Sequence, residues 1–165
     1  MAGFDPTLFE RLFDAAPHRP HEDTPLRRWN TEQLKESVAR DLESLLNTRA
    51  FADTEALAPF PEAARSLASY GMTDFVGMSL ANPADRDRIC RTLERAIARH
   101  EPRLRQVLVI LETDRNAIGC LQFGIRAVLQ VSSSAEPVSF DALLQPDTLQ
   151  YAVSKSRHAS LTRSA

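Results

Sequence analysis

Residues 121–131 read LQFGIRAVLQV, and this stretch decides the fold class. Apolar side chains occupy every second position from Leu121 to Val131, and mainly polar or small residues stand between them. A period of two is typical of a β-strand that buries one face. The continuous apolar run Val107–Leu111 predicts a second strand before it, and Thr113–Asn116 has the composition of the connecting turn.

Two more strands are predicted further along the chain. The first covers Pro137–Leu144 and the second, which is short, covers Leu149–Val153. Three consecutive serines at 132–134 break the alternation that precedes them. The strands therefore follow one another closely in sequence, which favours an antiparallel sheet of three to four strands.

Helices are predicted before the strands. Asn30 and Gln33 have the spacing of a capping box, and an apolar stripe follows at Leu34, Val38, Leu42, Leu45 and Leu46. Asn82-Pro83 opens another helix that runs to His100. Its apolar face carries Ile89, Leu93 and Ile97, and most of its arginines lie on the other side, as is typical of a solvated face. We predict an α+β fold in which N-terminal helices pack on a C-terminal antiparallel sheet.

Three regions follow from this pattern. Residues 1–29 are predicted to form a short helix, from Asp5-Pro6 to about Ala16, and a flexible proline-rich linker. Its apolar side could dock on a partner or fold back onto the chain's own core. Residues 30–153 form the main domain, and residues 154–165 are predicted to be a disordered tail.

The tripeptide Glu101-Pro102-Arg103 stands where the second main helix meets the first strand. Pro102 ends the helix because proline lacks an N–H group and disfavours helical backbone before it. Glu101 places a carboxylate at the negative end of the helix dipole, which is unfavourable by about 0.3–1 kcal/mol. Arg103 is two residues further along an extended segment and points to the same side. We interpret the pair as a fork that recognises another chain, with an intramolecular pair that orders the turn as the alternative.

The composition is that of an ordinary soluble domain. The 165 residues suffice for one hydrophobic core, and 43% are hydrophobic and 25% charged. A net charge of −2 argues against non-specific nucleic-acid binding. Among 20 basic residues only Lys35 and Lys155 are lysines. Arginine is preferred in interface pairs, although genomic base composition explains such a bias equally well.

No secretory signal or membrane-spanning stretch is evident in the sequence, so a cytoplasmic protein is expected. Cys90 and Cys120 fit reduced, buried thiols, with a disulfide between them as the alternative. The four histidines, His18, His21, His100 and His158, do not cluster with cysteines at metal-binding spacing, so no metal site is predicted.

Four segments, taken in order and spacing, resemble the TssE family, the small baseplate subunits of type VI secretion systems. They are Leu45–Arg49, Ser69–Phe75, Glu101–Leu104 and Leu121–Leu129. TssE is related to the short baseplate-wedge protein of contractile phage tails. The resemblance covers roughly residues 30–153. One departure is Met72-Thr73, where the family usually has Leu-Pro.

The resemblance implies a structural role without a cofactor. TssE-like proteins sit in wedges with TssF, TssG and TssK at the secretion apparatus associated with the inner membrane, and they start polymerisation of the TssB–TssC contractile sheath. The implied mechanism is strand addition at an open sheet edge. The implied protein-binding residues are Tyr70, Gly71, Asp74, Phe75, Glu101, Pro102 and Arg103.

Two other function classes compete with this interpretation. A peptidoglycan hydrolase would need two carboxylates across a cleft, and Glu101, Glu112 and Asp114 are available. No spacing marks them as a pair, and phosphate-loop, Gly-x-Ser-x-Gly and His-Glu-x-x-His motifs are missing from the sequence, so we expect no enzyme. A regulatory module resembling anti-adaptor proteins is the other alternative, because one fold can serve several functions.

Overall fold

The computed structural model describes residues 18, 29–52, 54–73, 78–79, 81–112, 121–131, 134–145, 147–148 and 150–156. Helices precede strands in these ranges. The helices are α1 (Thr31–Asn47), α2 (Thr54–Leu57), α3 (Pro61–Ala64) and α4 (Pro83–His100), with a 3₁₀ turn at Leu67–Ser69. The strands are β1 (Leu104–Glu112), β2 (Leu121–Val131), β3 (Ser134–Gln145) and β4 (Gln150–Lys155). The predicted α+β class is confirmed.

Helix α1 begins with the predicted capping box. The Asn30 side chain accepts from the Gln33 N–H at 2.8 Å, and the Gln33 side chain accepts from the Asn30 N–H at 3.0 Å. These two bonds satisfy backbone donors that a helix start leaves without a partner. The whole predicted apolar stripe is buried, together with Ser37 and Ala39.

Helix α4 also begins and ends where the sequence predicts. The Asn82 side chain accepts from the Ala84 N–H at 3.0 Å, and Pro83 occupies the first turn. Glu101 is the C-terminal cap, and its N–H donates to the Ile97 carbonyl at 2.8 Å. One residue per turn is fully covered on the inner face: Ile89, Leu93 and Ile97.

The four strands form one antiparallel sheet in the order β1-β2-β3-β4. In β2 the alternating residues Phe123, Ile125, Ala127 and Leu129 are buried, as the period of two predicts. Strand β1 contains a bulge between Arg105 and Leu108. Helix α1 packs mainly against β4 and α4 against β1, so one hydrophobic core lies between the two helices and one face of the sheet.

Strands β3 and β4 extend beyond their predicted limits. β3 begins at Ser134 because residues 134–136 pair with the end of β2. Pro137 is tolerated within β3 because it has no β4 neighbour, so no N–H donor is needed on that side. β4 continues to Lys155, whose ammonium group contacts Glu32 and Glu36 of α1. Ser154 and Lys155, the first two residues of the predicted tail, pair with β3.

Several predictions fall outside the described residues. They are the N-terminal helix to Ala16, the linker at 19–28, the turn at Thr113–Asn116, Cys120, and the tail from residue 157. Asp74 and Phe75 also lie outside the described residues. Cys90 is a half-buried free thiol whose pKa is raised, mainly by burial.

Candidate functional site

The Glu101-Pro102-Arg103 tripeptide forms the centre of a charged cluster between α1 and α4. The Glu101 Oε1 atom accepts from the Arg103 side-chain Nε at 2.6 Å and from the Arg103 backbone N–H at 3.2 Å. The second carboxylate oxygen contacts Nη2 of Arg103. The side chain of Glu101 is only 6% exposed. The structure thus contains the intramolecular pair that the sequence left as an alternative.

Arg103 also crosses to α1. Its Nη1 donates to the Ser37 hydroxyl at 3.2 Å, and its Nη2 contacts the Asp41 carboxylate. Burial disfavours the guanidinium charge, but the bonds to Glu101 and Asp41 outweigh burial and raise the pKa of Arg103. Arg103 therefore holds its charge and fixes the start of β1 to helix α1.

Ser37 and Asp41 were missed by sequence reasoning. Both lie on the side of α1 that carries the apolar stripe, three and seven residues after Leu34. A serine with no exposed surface on such a face needs a hydrogen-bond partner, and Arg103 provides it. Polar residues at these positions of the apolar helix face are the signal that could have predicted a charged side chain packed against α1.

The predicted Tyr70-Gly71 segment is tied to the end of α1. Thr48 O accepts from the Met72 N–H at 2.7 Å, and the Ala50 N–H donates to Met72 O at 3.0 Å. Gly71 has φ +114°, and a Cβ atom added there would lie 2.5 Å from Thr48 O. Gly71 and Met72 are buried, so this part of the segment packs inside the domain.

Tyr70 connects this segment with the tripeptide. Its ring lies edge-on to His100, with centroids 5.3 Å apart, and the His100 Nε2 atom bonds to the Ser69 carbonyl at 2.9 Å. Burial, with smaller contributions from the charges of Asp41 and Glu101, raises the pKa of Tyr70. The structure therefore brings Tyr70 and Gly71 to the same end of α4 as the tripeptide.

Side chains satisfy backbone groups at both edges of the described sheet. On β1, the Val109 N–H donates to Glu94 Oε1 of α4 at 2.9 Å. On β4, the Val153 N–H donates to Glu43 Oε2 of α1 at 2.8 Å. Asn47, from the Leu45–Arg49 segment, accepts from the Tyr151 N–H at 2.7 Å and donates to the Tyr151 carbonyl at 2.8 Å. We call these three side chains the edge caps.

The candidate catalytic carboxylates do not share a site in the described structure. Glu101 is buried against Arg103, Glu112 accepts from the Gln122 side chain at 3.0 Å, and Asp114 lies outside the described residues. Within the described ranges, no group of three or more His, Cys, Asp or Glu side chains is arranged to hold a metal ion. None of the described helices is long and apolar enough to cross a membrane.

Comparisons with known proteins give a family and two solved structures. The family model for the baseplate wedge protein gp25 matches residues 32–134. A Geobacter sulfurreducens protein described as a tail lysozyme is 15% identical, with a TM-score of 0.44 over 77% of this chain and 95% of the other. A chain of a type VI secretion system baseplate complex is 20% identical, with a TM-score of 0.44 over 69% and 96% of the two chains. No curated protein matches the sequence.

The family match extends from the first turn of α1 to the start of β3. It covers helix α1 from its second residue, the Thr48–Met72 contact, helix α4, the Glu101–Arg103 pair and the first two strands. These are also the elements that carry the predicted sites. The chain belongs to the family of the baseplate wedge protein gp25.

Proposed function

We propose that this protein is a TssE-type subunit of a type VI secretion baseplate. In this proposal it joins the TssF, TssG and TssK wedge in the cytoplasm, at the apparatus associated with the inner membrane. It then starts polymerisation of the TssB–TssC sheath, and it acts by assembly and not by catalysis. The observation that carries the proposal is the baseplate-wedge family match over residues 32–134.

In this proposal, strand addition is the mechanism, and it displaces the edge caps. Unpaired strand edges are normally blocked, and here single side chains satisfy the outer N–H groups of Val109, Tyr151 and Val153. An added strand offers a carbonyl to each N–H, so each cap can be exchanged for a backbone bond without leaving a donor unsatisfied. Sheath strands are the proposed occupants of such an edge.

The tripeptide supports a second contact, with the wedge or the sheath. Pro102 is exposed, and Arg103 and Asp41 keep 22% and 51% of their side-chain surface. Because Glu101 is buried behind Arg103, we propose that Arg103 contacts the neighbouring chain and Glu101 positions it. Tyr70 and Gly71 at this end of α4 belong to the proposed binding surface, and we include Asp74 and Phe75 because they belong to the same sequence segment.

The test is sheath assembly in the host bacterium, with the chromosomal gene deleted and TssB fused to a fluorescent protein. Cells are complemented with the wild type, Glu101→Ala, Arg103→Ala or Arg103→Lys. Arg126→Ala is the matched control, because Arg126 is an exposed arginine on β2. Each purified variant is first checked by thermal melting, so that a loss of sheaths is not confused with unfolding.

We expect Arg103→Lys to fold and to form few sheaths, since lysine keeps the charge but loses the forked donor geometry. Arg126→Ala should form sheaths at the wild-type frequency. Normal sheath frequency in a deletion strain without any complementing gene would overturn the proposed function. Normal sheath frequency in all Arg103 variants would show that the tripeptide is not a contact site in the proposed function. A peptidoglycan-release assay on the purified protein should show no activity.

A further inference from the structure

One side of helix α4 forms the wall of a groove that the edge caps and the tripeptide do not use. The groove has a volume of about 710 Å³, and its opposite wall includes Ala50, Ser69 and Gly71. Four exposed arginines of α4 line it: Arg88, Arg91, Arg95 and Arg99. We call this feature the α4 groove.

The arginines form a row along the helix. Arg88 and Arg99 are eleven positions apart, which corresponds to about 16 Å along the axis of an α-helix. None of these four arginines takes part in the salt bridges between described residues. Asp87 is the one acidic residue among the described residues that line the groove.

The other acidic side chains of α4 are engaged elsewhere. Asp85 accepts from the Ser79 N–H at 3.0 Å and from the Asn82 side chain at 3.1 Å, at the helix start. Glu94 caps the Val109 N–H on the side of β1. Helix α4 carries five arginines against three carboxylates, and the bonds of two of these carboxylates hold them at the helix start and beside β1. The row is therefore an excess of positive charge on a chain whose formal net charge is −2.

Large apolar side chains adjoin the opposite wall. Phe51, which follows Ala50, is 92% exposed, and Leu67, two residues before Ser69, is 86% exposed. The Ala52 N–H donates to the Ala68 carbonyl at 3.3 Å, so the two backbone segments run side by side. Arginine and aromatic residues are enriched in the cores of protein interfaces, and a solvated charged face does not require exposed phenylalanine next to it.

From these contacts we propose that the α4 groove binds an acidic amphipathic helix of a neighbouring protein. If the partner helix has carboxylates at the spacing of Arg88, Arg91, Arg95 and Arg99, they all lie on one side of that helix. Apolar residues of the partner next to these carboxylates then contact Phe51 and Leu67. Nucleic acid is disfavoured because the arginine row stands on a chain with a formal net charge of −2, whereas nucleic-acid-binding domains are usually strongly basic. The proposal does not depend on sheath initiation or on strand addition.

The experiment uses the full-length protein and a fluorescent helical peptide of about 16 residues. The peptide carries glutamates at the spacing of the four arginines, with leucines on one flank. Its control has the same composition with the glutamates scrambled around the helix. Fluorescence anisotropy gives the affinity for the wild type, Arg91→Glu/Arg95→Glu, Phe51→Ser and the matched control Arg105→Glu/Arg126→Glu, which reverses two exposed arginines elsewhere. Thermal melts confirm that each variant is folded.

We expect the designed peptide to bind roughly tenfold or more tightly than the scrambled one. Arg91→Glu/Arg95→Glu should lose at least about tenfold, Phe51→Ser should weaken binding, and raising NaCl from about 0.05 to 0.3 M should weaken it further. Equal affinity for both peptides would overturn the proposal, as would an equal loss in the Arg105/Arg126 control. Tighter binding of a single-stranded oligonucleotide than of the designed peptide would also overturn it.

Discussion

Asn47 and Tyr151 exchange two hydrogen bonds across 104 positions of the chain. The Asn47 side chain accepts the Tyr151 N–H at 2.7 Å and donates to the Tyr151 carbonyl at 2.8 Å. An amide side chain carries both an acceptor and donors, so it imitates the pairing of a neighbouring strand. This relationship explains why an asparagine stands at the end of α1, and it leads to the first prediction.

Replacing Asn47 by alanine should loosen the β4 edge. The substitution removes both bonds to Tyr151, at a cost of about 1–2 kcal/mol in the free energy of unfolding. Amide hydrogen exchange should accelerate more at Tyr151 than at Phe123 in the sheet centre, where exchange follows the global free energy of unfolding. Ser44→Ala, one helical turn away, is a control for α1. Unchanged exchange at Tyr151 would contradict the assigned role of Asn47.

Removing the charge of Glu101 should cost more stability than removing that of Asp41. Glu101→Gln weakens charged hydrogen bonds in a nearly buried position, which should lower the free energy of unfolding by about 2–3 kcal/mol. Asp41 is 51% exposed, so Asp41→Asn should cost less than about 1 kcal/mol. Urea denaturation of both variants measures the difference. Equal costs would show that Arg103 is held mainly by α1.

Position 71 should require glycine, whereas position 124 should tolerate alanine. Gly71→Ala places a Cβ atom 2.5 Å from Thr48 O on backbone with φ +114°, which should cost about 2 kcal/mol or more. At Gly124 the added Cβ meets only the end of the flexible Glu112 side chain, at 2.8 Å, so alanine should cost less than about 1 kcal/mol. Thermal melts of the two variants compare them directly. Similar losses would refute the backbone argument.

Stability should fall in mild acid through His100. Burial lowers the pKa of His100 from its ordinary value of 6.5, the bond to the Ser69 carbonyl opposes this change, and Arg99 adds to it. The unfolded chain therefore binds the proton more tightly, so stability is lost as the pH falls from about 6.5 towards the folded pKa. Solvent screening keeps the loss below about 1 kcal/mol.

The measurement is the free energy of unfolding at about pH 7.5 and pH 5. His100→Gln should reduce the difference between the two values. His18→Gln, which changes an exposed histidine, should leave the difference as it is in the wild type. A pH dependence that is the same in His100→Gln and the wild type would rule out His100 as its source.

Local signals in the sequence predicted most of the elements. The Asn82-Pro83 start and the Pro102 stop define α4 over Pro83–His100, and the alternation defines β2 over Leu121–Val131. Both signals act within a few residues, where backbone chemistry and periodicity decide the outcome. The β4 end was predicted too early because Lys155 is held by Glu32 and Glu36, which are far away in sequence.

The candidate site was only partly predictable for the same reason. The sequence singled out Glu101 and Arg103, which are close together in the chain. It did not indicate that Arg103 would reach Ser37 and Asp41, because these contacts depend on how α1 docks on the sheet. The edge caps Glu43 and Glu94 resemble any solvated glutamate until the strands beside them are in place.

The order of the strands has a consequence for how the chain is made. Each strand pairs with the next one in sequence, so the sheet can form by successive pairing of neighbouring strands as the chain leaves the ribosome. Helix α1 is synthesised long before its main partner, β4. Its apolar stripe therefore stays without its main partner until the last strand is made, and we expect chaperones to bind this helix during synthesis.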